Sequence, residues 1–211
     1  MKTQLKHILL VAGIMILTSA ATTTFAQDRK AGIKGGLNVS NMYVDDVDDE
    51  NARFGFNAGV YGEIISTETF GLQVELLYDT KGSKFQTDGA IDQEFKFNLN
   101  YLDLPVLAVF KLGEAVEIHA GGYAGYLLRA STSTEGDLGS STDELDKDNF
   151  RSLDYGLVGG IGFNLGAAQI GARYNYGLAR IADSNTAEDF LGNSKNSYGQ
   201  VYLALNLNHK P

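Results

Sequence analysis

The sequence predicts an all-β fold, an eight-stranded antiparallel up-and-down transmembrane β-barrel, and three observations predict it. Apolar residues recur at every second position over eight runs, the links between runs alternate short and long, and aromatic residues gather toward both ends of the apolar face. Period two places one set of residues on one side of a strand. By itself it does not say which side is inside, because a soluble sandwich or a lipocalin-like barrel gives the same period. The links and the aromatics decide that.

Composition bounds the reading first. Residues 1–26 read as a secretory signal, with Lys2 and Lys6 at the start, an apolar run from Ile8 to Leu17, and small residues leading to Thr24, Phe25 and Ala26. That run is far shorter than the ~20 residues a spanning helix needs. Residues 27–211 are then expected to form a single outer-membrane barrel domain. The chain has no cysteine, so neither a disulfide framework nor a thiol for lipid attachment is available. Glycine (25) is abundant and proline (2) scarce, with 11 tyrosines and 11 phenylalanines, a mixture that favours strands and tight turns over helices. The net charge of −9 argues against nucleic acid, which requires a basic surface to neutralise phosphates.

The first run carries Ala31, Ile33, Leu37 and Val39 on its apolar face, and the second Phe54, Phe56, Ala58, Val60 and Ile64. The third has Phe70, Leu72, Val74, Leu76 and Tyr78, and the fourth Leu102, Leu104, Val106, Ala108 and Phe110. The fifth shows Val116, Ile118, Ala120, Ala124, Tyr126 and Leu128, and the sixth Leu153, Tyr155, Leu157, Ile161, Phe163 and Leu165. The seventh presents Ala168, Ile170, Ala172, Tyr174, Tyr176 and Leu178, and the eighth Val201, Leu203, Leu205 and Leu207. No charge falls on any of these faces, whereas the opposite faces carry Lys34, Glu63, Glu75, Asp103, Glu117, His119, Arg129, Asp154 and Arg173.

Three short links lie near 66–69, 113–114 and 166–167, and four long ones run over about 41–52, 82–93, 130–150 and 181–196. Strict alternation of this kind is what eight up-and-down strands produce with both termini on the periplasmic side, short turns below and long loops outside. A Greek-key sandwich gives a different order. On the apolar face Phe54, Tyr78, Tyr126, Tyr155, Tyr174 and Tyr176 lie toward the long loops and Phe70, Phe110 and Phe163 toward the short turns. Two belts of rings are expected where strands cross both headgroup regions. The predicted location is the bacterial cell outer membrane.

The fourth run breaks phase, since Phe95, Phe97 and Leu99 are odd while the apolar residues after them are even. A β-bulge near Asn100 to Leu102, close to Pro105, would shift the phase. Alternatively, the upper part stands above the bilayer and needs no lipid face.

Five stretches taken together resemble the PorT-like outer-membrane β-barrel family of Bacteroidota: GIKGGLNVS from Gly32, GFNAGVYGE from Gly55, LQVELLYDTKG from Leu72, YLDLPVLAVFKL from Tyr101 and RYNYGLARI from Arg173. The resemblance implies an eight-stranded barrel in the outer membrane, delivered by the barrel-insertion machinery, and no established enzymatic activity. It also implies an aromatic last residue. This chain ends Asn208-His209-Lys210-Pro211, so either Leu207 takes that part or recognition differs.

An eight-stranded barrel is narrow enough for side chains to fill. Lys34, Arg129 and Arg173 are therefore expected to pair with Glu63, Glu75 and Asp103 as a structural network across the lumen, because buried charges require partners. A proton or ion pathway is the functional alternative. His119 is a candidate general base for a lipid hydrolase, but its strand offers Glu117 and no serine on that face, which favours an interior structural role. The acidic run Asp45, Asp46, Asp48, Asp49 and Glu50 lacks the glycine and spaced glutamate of an EF-hand loop. It reads as a solvated loop, with divalent bridging to lipopolysaccharide or a partner as its functional option. Glu135, Asp137, Asp143, Glu144, Asp146 and Asp148 repeat the theme in the third long loop. The glycines at 121–122 and 159–162 sit within strands and open no helix, so they are not a phosphate loop.

The expected function is a non-enzymatic outer-membrane barrel anchoring acidic surface loops for structural or interaction roles, with no cofactor and no metal. The expected surroundings are outer-membrane lipid, lipopolysaccharide and an envelope protein partner. The alternatives are a narrow channel or accessory subunit of an envelope or secretion complex, and a lipid-modifying enzyme.

Overall fold

Period-two segments can satisfy their backbone groups only by pairing with neighbours, and in a bilayer the sheet must close so that no edge faces lipid. The computed structural model describes residues 29–43, 53–87, 93–136, 141–144, 151–180 and 195–208. The leader expected over 1–26 and the acidic run Asp45 to Glu50 lie outside the described residues. The strands are β1 (Ala31–Tyr43), β2 (Arg53–Ser66), β3 (Phe70–Thr87), β4 (Gln93–Leu112), β5 (Val116–Gly136), β6 (Ser141–Glu144), β7 (Leu153–Leu165), β8 (Ala168–Arg180) and β9 (Lys195–Asn206). All pairings are antiparallel, and the circuit β1-β2-β3-β4-β5-β7-β8-β9 closes through β9 onto β1. Eight strands thus make the barrel, while β6 pairs only with the upper end of β5, from Ser131 to Thr134.

Every apolar-face residue named for the eight runs lies on the outside, half-exposed or exposed, and none is buried. A water-soluble chain would bury such a surface. Among the described residues no helix is long and apolar enough to cross a membrane.

Three short turns close one end of the barrel. Gly113 and Gly166 adopt positive φ values of 69° and 66°, a conformation that a side chain would strain. In the turn after β2, the Thr67 hydroxyl donates to the Phe70 carbonyl at 2.9 Å and accepts from the Phe70 N–H at 3.0 Å.

Three expectations need correction. First, the second and third long links are largely strand: β3 runs to Thr87, β4 starts at Gln93, and β5 continues to Gly136 before pairing with β6. Their backbone stays paired, Thr87 with Gln93 and Gly136 with Gln93, beyond the end of the lipid-facing alternation. Second, β4 does not change phase. Leu99 and Tyr101 both point inward with Asp103, and the extra residue sits on β5, where Asn100 pairs with Arg129 but Tyr101 with Leu127, leaving Leu128 over. Third, that bulge turns the upper part of β5 around: Leu127 and Ala130 face inward, and Arg129 is exposed on the outside. Pro105 acts on the other side of β4. Ladder pairs stop at Val74 with Val106 and resume in the same register at Leu77 with Asp103, as a residue without an N–H requires.

Candidate functional site

The inward face of the barrel carries the chemistry, because alternate residues on eight strands converge there and the narrow bore brings them within bonding distance. It contains two hydrogen-bonded networks, one toward the short turns and one toward the long loops.

The inner network centres on Glu75 of β3. Arg173 of β8 grips it as a fork, Nη1 donating to Oε2 at 2.8 Å and Nη2 to Oε1 at 2.6 Å, a geometry only guanidinium supplies. Lys34 of β1 donates to both oxygens at 3.2 and 3.4 Å, and its ammonium stands 3.5 Å from the centroid of the Tyr202 ring. Arg173 Nη2 also reaches His119 Nδ1 at 3.1 Å. Because arginine only donates, Nδ1 is the acceptor and the ring proton sits on Nε2, which faces Glu117 Oε2 at 3.4 Å. Glu117 accepts further bonds from Gln169 at 2.7 Å, from Asn164 at 3.1 Å and from Lys30. Near the turns, Lys111 bridges Glu63 at 2.9 Å and Ser66 at 2.8 Å.

The outer network sets one lysine among three aspartates. Lys81 of β3 pairs with Asp103 of β4 at 2.7 Å and with Asp154 of β7 at 3.2 Å. Asp79 accepts from Gln200 at 3.1 Å, from Tyr198 at 3.4 Å and from Asn38, while Tyr198 also donates to Asp103 at 3.1 Å. Asp154 receives Asn196 at 3.0 Å and Tyr123 at 3.2 Å. Leu107, Tyr123 and Val158 pack together as an apolar patch on the same wall.

Of the residues expected in the lumen, Lys34, Glu75 and Arg173 do meet in one cluster. Glu63 is buried but answers Lys111, Asp103 belongs to the separate outer cluster, and Arg129 lies outside the bore. Lys81 and Asp79 were missed. Their signal is present, since Gln73, Glu75, Leu77, Asp79 and Lys81 continue one period-two face past Tyr78, where the apolar run ends. The inward tyrosines Tyr61, Tyr101, Tyr123, Tyr198 and Tyr202 carry no such signal, because an aromatic ring suits the lipid belts and the bore alike.

Room for these groups comes from glycines opposite them. A Cβ on Gly171 would collide with the ring tip of Tyr202, and one on Gly125 would collide with Asp103 Oδ1. Among the described residues no group of three or more His, Asp or Glu side chains is placed to hold a metal ion.

Residues 25–183 match the family described as outer membrane protein beta-barrel domain. The chain belongs to that family. This outer membrane β-barrel protein therefore resides in the bacterial outer membrane. Solved structures of similar fold include the attachment invasion locus protein Ail of Yersinia pestis, at 17% identity and a TM-score of 0.49 over 84% of this chain and 98% of that one. Neisserial surface protein A follows at 12% identity and a TM-score of 0.43, over 85% of this chain and 97% of that one. OprG of Pseudomonas aeruginosa is similar at 16% identity and a TM-score of 0.34, over 86% and 96%. No curated protein sequence matches the chain.

Proposed function

We propose that this β-barrel is a non-enzymatic anchor that closes its own lumen and presents a polar outer sheet and acidic loops to partners outside the cell. The observation that carries it is the unequal height of the wall. β5 has 21 residues and β4 has 20, against 13 in β7 and β8 and 12 in β9. A transmembrane strand needs only ~9–11 residues. The surplus of β3, β4 and β5, joined by β6, rises beyond the lipid as a four-stranded polar sheet. Loops held on such a scaffold are where recognition resides in barrels of this type.

Lipopolysaccharide, bridged by divalent cations to Asp45, Asp46, Asp48, Asp49 and Glu50, and an envelope protein are the partners this reading names. Affinity capture from native envelopes tests it: one constant partner, lost when 137–148 is replaced by a short glycine linker while the gel shift on heating persists, is the expected outcome. Capture unchanged by that replacement would remove the outer sheet from the proposal. Planar-bilayer recording addresses closure, with no single-channel current expected.

A lipid-modifying enzyme is disfavoured by His119, whose two ring nitrogens are engaged by Arg173 and Glu117, with no serine among its hydrogen-bond partners. The finer placement in the PorT-like branch of Bacteroidota rests on the five quoted stretches, which fall within β1, β2, β3 and β4 and on β8 and the residue after it.

A further inference from the structure

We propose that the outer half of the lumen is a receptor site for a primary ammonium ion, occupied by Lys81 of the same chain. The Lys81 side chain has no exposed surface. Its Nζ lies 4.6 Å from the ring centroids of Tyr101 and Tyr123 and 4.7 Å from that of Tyr198. Ring faces within about 6 Å attract a cation through their quadrupole, most strongly where water is absent. The carboxylates of Asp103 and Asp154 take two of the three N–H groups, and the third is left to the rings.

The walls and the occupant belong to different strands. The walls come from β4, β5, β7 and β9, whereas the lysine comes from β3. The Tyr123 hydroxyl holds Asp154 at 3.2 Å, the Tyr198 hydroxyl holds Asp103 at 3.1 Å, and Asn196 holds Asp154 at 3.0 Å. Tyr123 and Tyr198 meet edge to face with centroids 6.3 Å apart. Aromatic faces on three sides and two carboxylates suit a compact head with several N–H groups. A quaternary ammonium offers no donor to the carboxylates, and guanidinium presents a planar fork instead of a point charge. Tethering keeps the site filled, since a lysine on the neighbouring strand acts at a high effective concentration.

Lys81→Ala deletes three carbons and the nitrogen, the atoms of n-propylammonium. The test refolds this variant into phosphatidylcholine vesicles with n-propylammonium, tetramethylammonium or sodium chloride at one ionic strength. The temperature at which the folded gel band is lost is then measured. The variant is expected to melt lower than wild type, with n-propylammonium alone restoring most of the loss in a saturable way and leaving wild type unmoved. An equal response to all three salts, or a variant as stable as wild type, overturns the proposal. Should Lys81→Ala fail to insert, reductive methylation followed by peptide mass analysis reads the site in folded protein. Lys81 is expected to be spared in wild type and in Tyr123→Phe but modified faster in Tyr123→Leu. Modification at the unfolded rate in wild type, or no difference between the two Tyr123 variants, equally overturns it.

Discussion

The inner and outer halves of the lumen solve the burial of charge differently. Toward the turns, Lys30, Lys34, Lys111 and Arg173 meet Glu63, Glu75 and Glu117, so each carboxylate has a cation against it. Toward the loops, Lys81 stands among Asp79, Asp103 and Asp154, the one cation paired with these aspartates among the described residues, and tyrosine and amide groups supply further hydrogen bonds. Carboxylates in both halves accept from neutral donors as well, but in the inner half four cations face three carboxylates, whereas in the outer half Lys81 is shared. Removing a charge should cost most where its partners are charged, because the stranded ion has no second solution.

That contrast orders the expected losses. Glu75→Gln leaves Arg173 and Lys34 without their counter-ion and is expected to destabilise the barrel by about 3–5 kcal/mol, read from urea unfolding in vesicles. Gly171→Val pushes against the Tyr202 ring that roofs Lys34, and overpacking of this kind is expected to cost about 1–3 kcal/mol. Asp79→Asn retains an acceptor for neutral partners and relieves an acid-rich cluster, so it should change stability by only about 1 kcal/mol. A cost equal to that of Glu75→Gln would erase the distinction between the two halves. Arg129→Ala, outside the bore, should cost no more than about 1 kcal/mol, the range of an exposed charge contact. A large loss there would return Arg129 to the lumen network.

The lipid side sharpens the comparison from without. Ile161, on the outer face of β7, is exposed. Its replacement by Arg should cost about 2–4 kcal/mol in a bilayer if this position lies at mid-depth, since charge on a lipid face is penalised by depth. An equal loss for Asn98→Arg, on the raised part of β4 and the same outward face as Leu102 and Leu104, would show that lipid reaches there and would lower the outer sheet into the membrane.

Much of this arrangement was legible in the residues. The eight lipid faces could be read because lipid tolerates no charge, so a single exclusion rule acts along every strand. The short turns could be read from tight-turn residues such as Gly113 and Gly166. The long loops were overestimated, because cross-strand pairing that continues past the lipid-facing run leaves no mark in one strand's spacing, as Lys84 opposite Lys96 shows. Arg129 was misplaced by one bulged residue, since every position beyond an insertion changes face.

By itself, then, the sequence determined the barrel class, the lipid face of each of the eight strands and the presence of opposed charges on the other side. Period two is a local property, and lipid selects on it directly. Only the tertiary structure decided which charges meet. Partners such as Glu75 and Arg173, or Lys81 and Asp154, are 98 and 73 residues apart and join across the bore. Their meeting depends on the stagger between strands, on the Leu128 bulge and on the glycines that make room, none of which is written in the spacing of any one strand.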